Sequence, residues 1–294
     1  MEELTAQVTE GIEPLAIPNY VAGRVTVITG AGSGFGRLIA KSAAAMGGLV
    51  VAADIDSDSV GQTVSDIVAS GGSAIAVTAD VASKLQMDAL ANAAVEKFGA
   101  VDILVNNAGV MPLAFFADHQ EAWMAWDKCI DINFKGVVNG ITAVYDQMIS
   151  QGRGHIINVS SIYGNRGTAG SGVYSATKAA VVMLSDALRV EAQGKIKVTV
   201  VRPTGVPATN LPSGVINREA TVGLIGQNFQ RFRESVTKWV EGSQPAEQAD
   251  KDSVGYWTLS PEDLTAQIIA VMNMPWGINI SDITVRATGE DYIN

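Results

Sequence analysis

Short apolar runs rich in β-branched residues alternate along the chain with longer segments whose apolar positions recur at helical spacing. The first two runs, RVTVIT at 24–29 and LVVAAD at 49–54, predict strands that are each followed by a helix. The same pattern predicts further strands at 73–80, 101–107, 155–160, 197–203 and 282–287. Continuously apolar strands that alternate with helices indicate a parallel sheet with helices on both faces. The sequence therefore predicts an α/β fold, with a doubly wound parallel sheet in three α/β/α layers.

Helical spacing is clearest in three segments of the second half of the chain. Long helices are predicted over about 118–151 and over 172–193. A third helix begins after Ser260, a good N-cap residue, with Pro261 at its first position and acidic residues in its first turn. This last helix leads into the final predicted strand.

The alternation is interrupted between the sixth strand and the last helix. Residues 205–258 contain three prolines and five aromatic residues, Phe229, Phe232, Trp239, Tyr256 and Trp257. Two interpretations stay open: the aromatic side chains line a ligand site beneath a lid, or they form a small core or a subunit contact. We predict an N-terminal extension at 1–22 and one domain at 23–294 that contains this insertion.

Charge and composition narrow the possible partners. The 294 residues carry a net charge of −10, with a pI near 4.7, which argues against nucleic acid and anionic membrane surfaces as partners. The single cysteine, Cys129, excludes an internal disulfide, and with only His119 and His155 we expect no metal site. Because no apolar run reaches about 18 residues and no signal peptide is evident, we expect a cytoplasmic protein.

A glycine-rich turn follows the first predicted strand. The segment TGAGSGFG at 29–36 places Gly30, Gly34 and Gly36 between that strand and the next helix. Glycines allow a tight turn there and let backbone N–H groups at a helix N-terminus approach a pyrophosphate. In the first βα unit of an alternating chain, this turn predicts a dinucleotide site.

Asp54 ends the second strand, 24 residues after Gly30, where a carboxylate can bond the adenosine ribose of a dinucleotide. A carboxylate also repels a 2′-phosphate, and neither Ser33 nor the pair Ile55 and Asp56 supplies a positive charge to hold one. The sequence therefore favours NAD over NADP. The alternative is that Asp54 only caps a helix or a turn.

Tyr174 and Lys178 are four residues apart in a predicted helix and therefore share one of its faces. A lysine charge near a phenol lowers the phenol pKa from about 10, which favours proton exchange with an alcohol oxygen. Ser161, thirteen residues before Tyr174, ends a predicted strand and offers a second hydrogen bond to that oxygen. The alternative is a tyrosine that merely packs over a lysine stem.

These motifs occur together with two others, NNAG at 106–109 and Asn133 within DINFKG. In this order and spacing the chain resembles the short-chain dehydrogenase/reductase family, over about 22–210 and 260–287. The resemblance implies a Rossmann fold and an oxidoreductase that acts on CH–OH groups, interconverting a secondary alcohol and its ketone with a nicotinamide cofactor.

The resemblance also implies roles for four catalytic residues. Tyr174 is the general acid or base, and Lys178 lowers its pKa and bonds the nicotinamide ribose. Ser161 steadies the substrate oxygen, and Asn133 holds a water that links Lys178 to solvent. The cofactor itself carries the hydride.

Cofactor contacts are implied along the loops that follow the strands. They are Gly30, Ser33, Gly34, Phe35, Gly36, Asp54, Ile55, Asp80, Val81, Asn107, Ala108, Gly109, Tyr174, Lys178, Pro203, Gly205, Val206 and Thr209. One departure from the family concerns RPTGVPATN at 202–210, where Thr204 occupies the usual glycine position and Gly205 follows one residue later. Val206 is therefore a safer cofactor contact than Thr209.

For the substrate we expect a small and apolar alcohol or ketone, contacted by Tyr163, Met111, Trp239 and Trp257. The resemblance further suggests a homo-tetramer or homo-dimer. Two other functions stay open: an NAD-dependent epimerase or dehydratase, and a protein that binds NAD without catalysis. The complete set of Ser161, Tyr174 and Lys178 argues against the second.

Overall fold

The protein is described by a computed structural model that covers residues 18–207 and 209–293. Within these residues the centre of the molecule is a seven-stranded sheet in which every pairing is parallel. The strands are β1 Val25–Thr29, β2 Leu49–Asp54, β3 Ser73–Thr78, β4 Ile103–Asn106, β5 His155–Val159, β6 Lys197–Pro203 and β7 Asp282–Val285. The predicted parallel α/β sheet is confirmed. Most of the predicted N-terminal extension, residues 1–17, lies outside the described residues.

The order of the strands creates a crevice at one point of the sheet. Across the sheet the order is β3-β2-β1-β4-β5-β6-β7, so the direction of winding reverses between β1 and β4. The register there pairs Thr26 with Ile103 and Ile28 with Val105. In open α/β sheets, ligands bind at such a reversal, outside the carboxyl ends of the strands.

Helices cover both faces of the sheet. They are α1 Gly34–Ala45, α2 Ser57–Ala69, α3 Lys84–Phe98, α4 His119–Ile130, α5 Gly136–Ser150, α6 Gly172–Glu191, α7 Val222–Ile225, α8 Phe229–Glu241, α9 Ala246–Ala249 and α10 Pro261–Met272. One buried cluster joins α1, α2 and α10 to the sheet, and a second joins α3, α5 and α6 to its other face. The predicted three-layer arrangement is confirmed. In the described part of the chain, no helix is both long and apolar enough to cross a bilayer.

The predicted helix at about 118–151 differs from the structure in its middle. α4 and α5 are joined by one segment of π-helix, Asp131–Lys135, in which each turn holds more residues than an α-helix. Such a segment rotates the following side chains relative to a regular helix. The predicted N-cap of the last helix is confirmed, because Ser260 Oγ accepts a bond from Asp263 N at 3.1 Å and the Asp263 carboxylate accepts one from Ser260 N at 2.9 Å.

The insertion between β6 and α10 contains the short helices α7 and α9 and the longer α8. The ring of Phe232 lies 6.0 Å from that of Trp257 and 6.1 Å from that of Tyr292, measured between ring centroids. The insertion therefore has a small aromatic core that includes a residue of the C-terminal tail. The division into an extension and one domain stays a prediction.

Candidate active site

The glycine turn joins β1 to α1 at the crevice. Gly30 and Gly34 have φ angles of 66° and 49°, which side chains other than glycine rarely adopt. A Cβ atom at Gly36 would lie 2.1 Å from the carbonyl oxygen of Gly30, so no larger residue fits. A Cβ atom at Gly30 would lie 3.0 Å from the Cα atom of Ala108. The turn thus packs against the loop after β4 and directs the N-terminus of α1 toward the crevice.

Asp54 stands at the carboxyl end of β2, beside this turn. Its Oδ2 accepts a hydrogen bond from Gly32 N at 2.8 Å, and its Oδ1 accepts one from Asp56 N at 3.1 Å. Ile55, the next residue, has 66% of its surface exposed. The two residues therefore border the outer end of the crevice, where both were predicted to meet the adenosine half of the cofactor.

Arg37 is a residue of this region that the sequence interpretation missed. Its guanidinium group donates to the carbonyl oxygen of Gly32, to that of Ser59 at 3.3 Å and to Thr63 Oγ1 at 3.0 Å. The prediction considered only the turn and the residues after β2 as sources of positive charge. Arg37 is the residue immediately after the turn at 29–36, so the sequence itself offered this positive charge.

The loop after β4 ties the glycine turn to the catalytic residues. The backbone N–H groups of Asn107 and Ala108 both donate to Thr29 Oγ1 at 3.1 Å. A Cβ atom at Gly109 would lie 3.3 Å from Asn133 Oδ1 and 3.6 Å from Lys178 Nζ. The structure therefore brings the NNAG motif beside two of the predicted catalytic residues.

Asp80 and Val81 follow β3 at the same edge of the sheet. Asp80 Oδ1 accepts a bond from Ala82 N at 2.9 Å, and the carbonyl oxygen of Val81 accepts one from Asn139 Nδ2 at 2.9 Å. The side chain of Val81 also contacts Gly136, where a Cβ atom would lie 2.8 Å from Val81 Cγ2. The loop after β3 is thus held against α5.

The structure brings Ser161, Tyr174 and Lys178 together. Lys178 Nζ lies 5.9 Å from the centroid of the Tyr174 ring, one turn away on the same face of α6. The side chains of Ser161 and Tyr174 are hydrogen-bonded. All three are buried, with exposures of 7%, 2% and 5%. The group is fixed to the sheet because Lys178 Nζ donates to the carbonyl oxygen of Val159 at 2.9 Å.

The pKa of Tyr174 is raised in this structure, and the predicted lowering of that pKa by Lys178 stays a prediction. Burial raises the pKa of Tyr174 well above its usual value, and the hydrogen bond with Ser161 only partly opposes that rise. Burial also lowers the pKa of Lys178 to about 8. Removal from water is the largest influence on the pKa of each of the two groups.

Asn133 lies in the π-helical segment and is completely buried. Its Oδ1 accepts a hydrogen bond from Val110 N at 2.9 Å, and its Nδ2 donates to the carbonyl oxygen of Val110 at 2.8 Å. This pair of bonds fixes the backbone next to Gly109. Its predicted role in holding a water stays a prediction.

In the loop after β6, the predicted contact of Val206 with the cofactor stays a prediction. Val206 is buried in a small cluster with Leu259 and Ala287, against which Phe35 packs. Phe35 and Val206 thus use their side chains for packing, which leaves their backbone groups for any cofactor contact. Thr209 lies near the glycine turn, 3.9 Å from where a Cβ atom of Gly34 would be. The structure therefore favours Thr209 as a side-chain contact more than the sequence did.

Earlier in the same loop, Pro203 is the last residue of β6 and pairs with Val285 of β7. Thr204 Oγ1 donates to the carbonyl oxygen of Val285 at 3.2 Å. Gly205 contacts the C-terminal tail, because a Cβ atom there would lie 2.2 Å from Tyr292 Oη. Pro203 and Gly205 therefore both lie at the carboxyl end of the sheet, and Gly205 contacts the tail.

Of the four residues predicted to contact substrate, two join the cluster around Tyr174. The Tyr163 ring lies 5.4 Å from that of Tyr174, edge to face, and Met111 packs against the same cluster. Burial raises the pKa of Tyr163 well above its usual value, and the nearby phenols of Tyr292 and Tyr174 add to the rise. Its phenol therefore stays protonated beside Tyr174.

The two predicted tryptophans are placed differently. Trp257 is buried, and its Nε1 donates to Asp291 Oδ2 at 2.8 Å while its ring contacts Phe232. Trp239 lies half-buried on α8. Neither belongs to the buried cluster of described residues that contains Tyr174, so the alternative of a small core in the insertion describes Trp257 better.

Tyr292 is a second residue that the sequence interpretation missed. Its side chain packs against the cluster that contains Tyr163 and Tyr174. The C-terminal tail follows the last strand and matches none of the motifs, so its position was not predictable from local sequence. The aromatic side chain in a mostly polar tail was the signal that the sequence offered.

Comparison with known proteins agrees with this geometry. The family model of short chain dehydrogenases matches residues 24–219. An uncharacterized oxidoreductase of Staphylococcus haemolyticus is 31% identical over 264 residues, which are 90% of this chain and 97% of that protein. A glycine betaine reductase of Emericella nidulans is 31% identical over 92% of this chain, which matches only 19% of that longer protein.

Solved structures show the same fold. A short chain dehydrogenase/reductase of Burkholderia phymatum in complex with NAD is 30% identical, with a TM-score of 0.70, over 90% of this chain and 89% of that one. A metagenomic short-chain oxidoreductase in complex with NADP is 25% identical, with a TM-score of 0.69, over 91% of this chain and 98% of that one. Both nicotinamide cofactors thus occur among similar structures.

Proposed function

The chain belongs to the short-chain dehydrogenase/reductase family of oxidoreductases, and on that premise we propose that it interconverts a secondary alcohol and its ketone with NAD. The observation that carries the proposal is the buried group of Ser161, Tyr174 and Lys178 beside the loop that contains Gly109. A phenol, a hydroxyl and an ammonium are thereby gathered next to the crevice of the sheet. This set can bind and protonate a single substrate oxygen.

The residues around the crevice fit a nicotinamide dinucleotide. Gly30 and Gly36 keep the turn free of side chains, so that backbone N–H groups at the start of α1 can approach a pyrophosphate. Gly109 lies next to Lys178, so the ammonium can bond a ribose that passes this loop. When bound, the nicotinamide supplies or accepts the hydride.

Side chains of the protein carry out the proton transfer. In ketone reduction the Tyr174 phenol donates its proton to the carbonyl oxygen as that oxygen gains negative charge, and in alcohol oxidation the phenolate accepts it. The single hydroxyl proton of Ser161 can bond the same substrate oxygen or, in its bond with Tyr174, favour the phenolate. Because Lys178 is positively charged below a pKa of about 8, it stabilises negative charge that develops on the tyrosine.

A preference for NAD over NADP is supported by Asp54. Its carboxylate lies at the end of β2 beside the glycine turn, where it can bond a ribose hydroxyl and repel a 2′-phosphate. The nearby Arg37 uses its guanidinium donors on Gly32, Ser59 and Thr63. These donors are thereby occupied by protein groups, which supports the proposal that Arg37 does not hold a 2′-phosphate.

Two further features belong to the proposal. The substrate is a small and largely apolar molecule, because apolar side chains such as Leu113 and Ile162 pack around Tyr174. The protein acts as a homo-dimer or homo-tetramer, which rests on the family alone.

The test is an assay of NADH oxidation against a panel of aryl, alicyclic and aliphatic ketones, with the reverse reaction on the matching alcohols. Replacing Tyr174 by Phe should lower kcat by a factor of about 100 or more, because general acid catalysis contributes roughly that much. The affinity for NADH, measured by fluorescence quenching, should change little because the ring remains.

Wild-type activity should also be higher with NADH than with NADPH. Retained turnover in Tyr174→Phe would show that Tyr174 is not the proton donor. A wild-type preference for NADPH would show that Asp54 does not select the cofactor. Tight NADH binding with no turnover on any ketone or alcohol would favour the non-catalytic alternative.

A further inference from the structure

The C-terminal tail, residues 288–293, brings an aromatic side chain to the candidate active site. Tyr292 packs against the cluster of Tyr163 and Tyr174, and its phenol oxygen lies over Gly205. A methyl group on Gly205 would approach that oxygen to 2.2 Å, so this position has room for the phenol only as glycine. The tail thus reaches the loop after β6 from the side of the insertion.

The tail is held in place by Asp291, whose side chain is only 1% exposed. Its carboxylate accepts hydrogen bonds from Trp257 Nε1 at 2.8 Å and from Arg231 Nε. Its backbone carbonyl accepts one from Asn228 Nδ2 at 2.9 Å. These three donors come from the insertion, so the insertion and the tail form one unit.

Thr204, the residue at which this chain departs from the family pattern, lies beside the same unit of insertion and tail. The Thr204 hydroxyl, at the position where the family has glycine, donates to the carbonyl oxygen of Val285 at 3.2 Å and lies close enough to the Glu290 carboxylate to oppose the rise in its pKa that burial causes. Arg286 Nε lies 2.6 Å from Glu290 Oε1. Glu290 and Asp291 are therefore both anchored, and the residue that follows them is placed by those anchors.

Two phenols then face the Tyr174 cluster without a protein partner. Among the described residues, no hydrogen bond is made by the phenol oxygen of Tyr163 or of Tyr292. Tyr163 is 8% exposed, and apolar side chains such as Met111 surround it. Neither oxygen is among the fully buried, unpartnered polar atoms of the described residues, so both reach accessible space and are free to bond a ligand. A ligand oxygen would supply the missing partner.

Both phenols act as hydrogen-bond donors over the whole working pH range. Burial raises the pKa of Tyr292, and the carboxylates of Glu290 and Asp291 raise it further. Those same carboxylates disfavour an anionic group next to Tyr292. The group that fits is therefore a neutral oxygen, a hydroxyl or a carbonyl.

We propose that Tyr292 is a substrate-specificity residue that, together with Tyr163, donates a hydrogen bond to a second neutral oxygen of the substrate, remote from the reacting carbon. The inference rests on the proposed function, because it concerns the substrate of the same site. It names the substrate class as secondary alcohols or ketones that carry a further hydroxyl or carbonyl group. The tail and the insertion then select the substrate, and α6 and β5 supply the proton chemistry.

The experiment compares two ketones that differ only at the remote position, 4-hydroxycyclohexanone and 4-methylcyclohexanone, with NADH as reductant. Wild-type protein should show a kcat/KM about tenfold higher for the hydroxy ketone, because one well-placed hydrogen bond discriminates by roughly this factor. In Tyr292→Phe this preference should fall to about twofold, through KM and not through kcat. Tyr163→Phe should reduce it in the same way.

Tyr145→Phe is the matched control. Tyr145 lies half-buried on α5, against the core cluster on the α3, α5 and α6 side of the sheet, and its substitution should keep the tenfold preference. An equal preference in wild type for both ketones, or an unchanged one in Tyr292→Phe, would overturn the proposal.

Other results distinguish a failure of folding, a failure of this inference and a failure of the proposed function. Loss of folding in Tyr292→Phe, seen as a lowered Tm, leaves the decision to Tyr163→Phe and the wild-type comparison. Activity on other ketones of the panel but on neither of these two overturns this inference alone. No NADH oxidation with any ketone removes the proposed function as well.

Discussion

Lys178 and Tyr174 show that burial dominates the acid–base properties of individual residues at this site. Lys178 is 5% exposed, and its ammonium donates to the carbonyl oxygen of Val159. Burial lowers the pKa of Lys178 to about 8 and raises that of Tyr174. In both residues the neutral form is favoured, because burial penalises the charged form. A negative charge that develops on a bound substrate oxygen or on the phenol would favour the charged form of Lys178 and so oppose the effect of burial.

The lowered pKa of Lys178 makes a prediction about stability. Between the folded pKa of about 8 and the ordinary lysine value of 10.5, the unfolded chain binds more protons at this residue than the folded chain. The free energy of unfolding therefore increases as pH rises through that window, because of this residue. Relative to Lys178→Met, wild-type protein should gain about 3 kcal/mol between pH 7.5 and 10.5.

Denaturant unfolding at a series of pH values measures this difference. Lys195→Met, at an exposed position after α6, serves as the control and should show no such trend relative to wild type. A constant difference between wild type and Lys178→Met across the window would mean that the folded and unfolded pKa values are equal.

At the scale of elements, β1 and α1 are joined by a turn that only glycine can form. The positive φ angles of Gly30 and Gly34 and the close approach of Gly36 to a carbonyl oxygen all belong to a single turn. The spacing of the glycines in the sequence reveals this turn, because each glycine meets a local steric requirement. Gly61, in the middle of α2, has no atom within 4 Å of its Cβ position and meets no such requirement.

Replacing Gly36 by Ala should therefore impair both cofactor binding and folding. The added methyl group would meet the carbonyl oxygen of Gly30 at 2.1 Å, so the turn must shift. We expect a loss of about 1–3 kcal/mol in unfolding free energy, typical of overpacking, and a weakening of NADH binding by about tenfold or more. Chemical denaturation and fluorescence titration measure the two effects.

Gly61→Ala is the matched control for the same chemical change. In an open position within a helix, alanine should stabilise the protein by about 0.5–1 kcal/mol and leave NADH binding unchanged. If Gly36→Ala and Gly61→Ala have the same effect on stability and NADH binding, the turn does not require glycine at position 36.

For the whole molecule, the parts that follow local rules were predictable from the sequence. The strands, their parallel pairing and the gathering of Asp54 and the NNAG motif at one edge follow from hydrophobic pattern and spacing. Three features were missed: the π-helical segment around Asn133, the guanidinium of Arg37 and the approach of Tyr292. The approach of Tyr292 and the contacts of Asn133 with Val110 join distant segments, whereas Arg37 directly follows the glycine turn and was overlooked. The tail is the clearest case, because Asp291 is buried by residues of the insertion more than thirty positions earlier.

The coupling of tail and insertion predicts how the molecule opens locally. Asp291 is almost fully buried, and Arg231 on α8 supplies its charged partner. Removing that partner leaves a buried carboxylate with the Trp257 indole as its remaining side-chain donor, which should lower the local opening free energy by about 1.5–3 kcal/mol. The sheet and its two core clusters do not include these residues, so their stability should be unaffected.

Hydrogen exchange measured by mass spectrometry on Arg231→Gln tests this coupling. Amide exchange should become about tenfold faster or more both in α8 and in residues 288–293, since the two segments open together, while β1 and β4 keep the wild-type rate. Arg233→Gln, two residues along the same helix and exposed, should change neither segment. Faster exchange in α8 alone would show that the tail is held through Glu290 and its neighbours without the insertion.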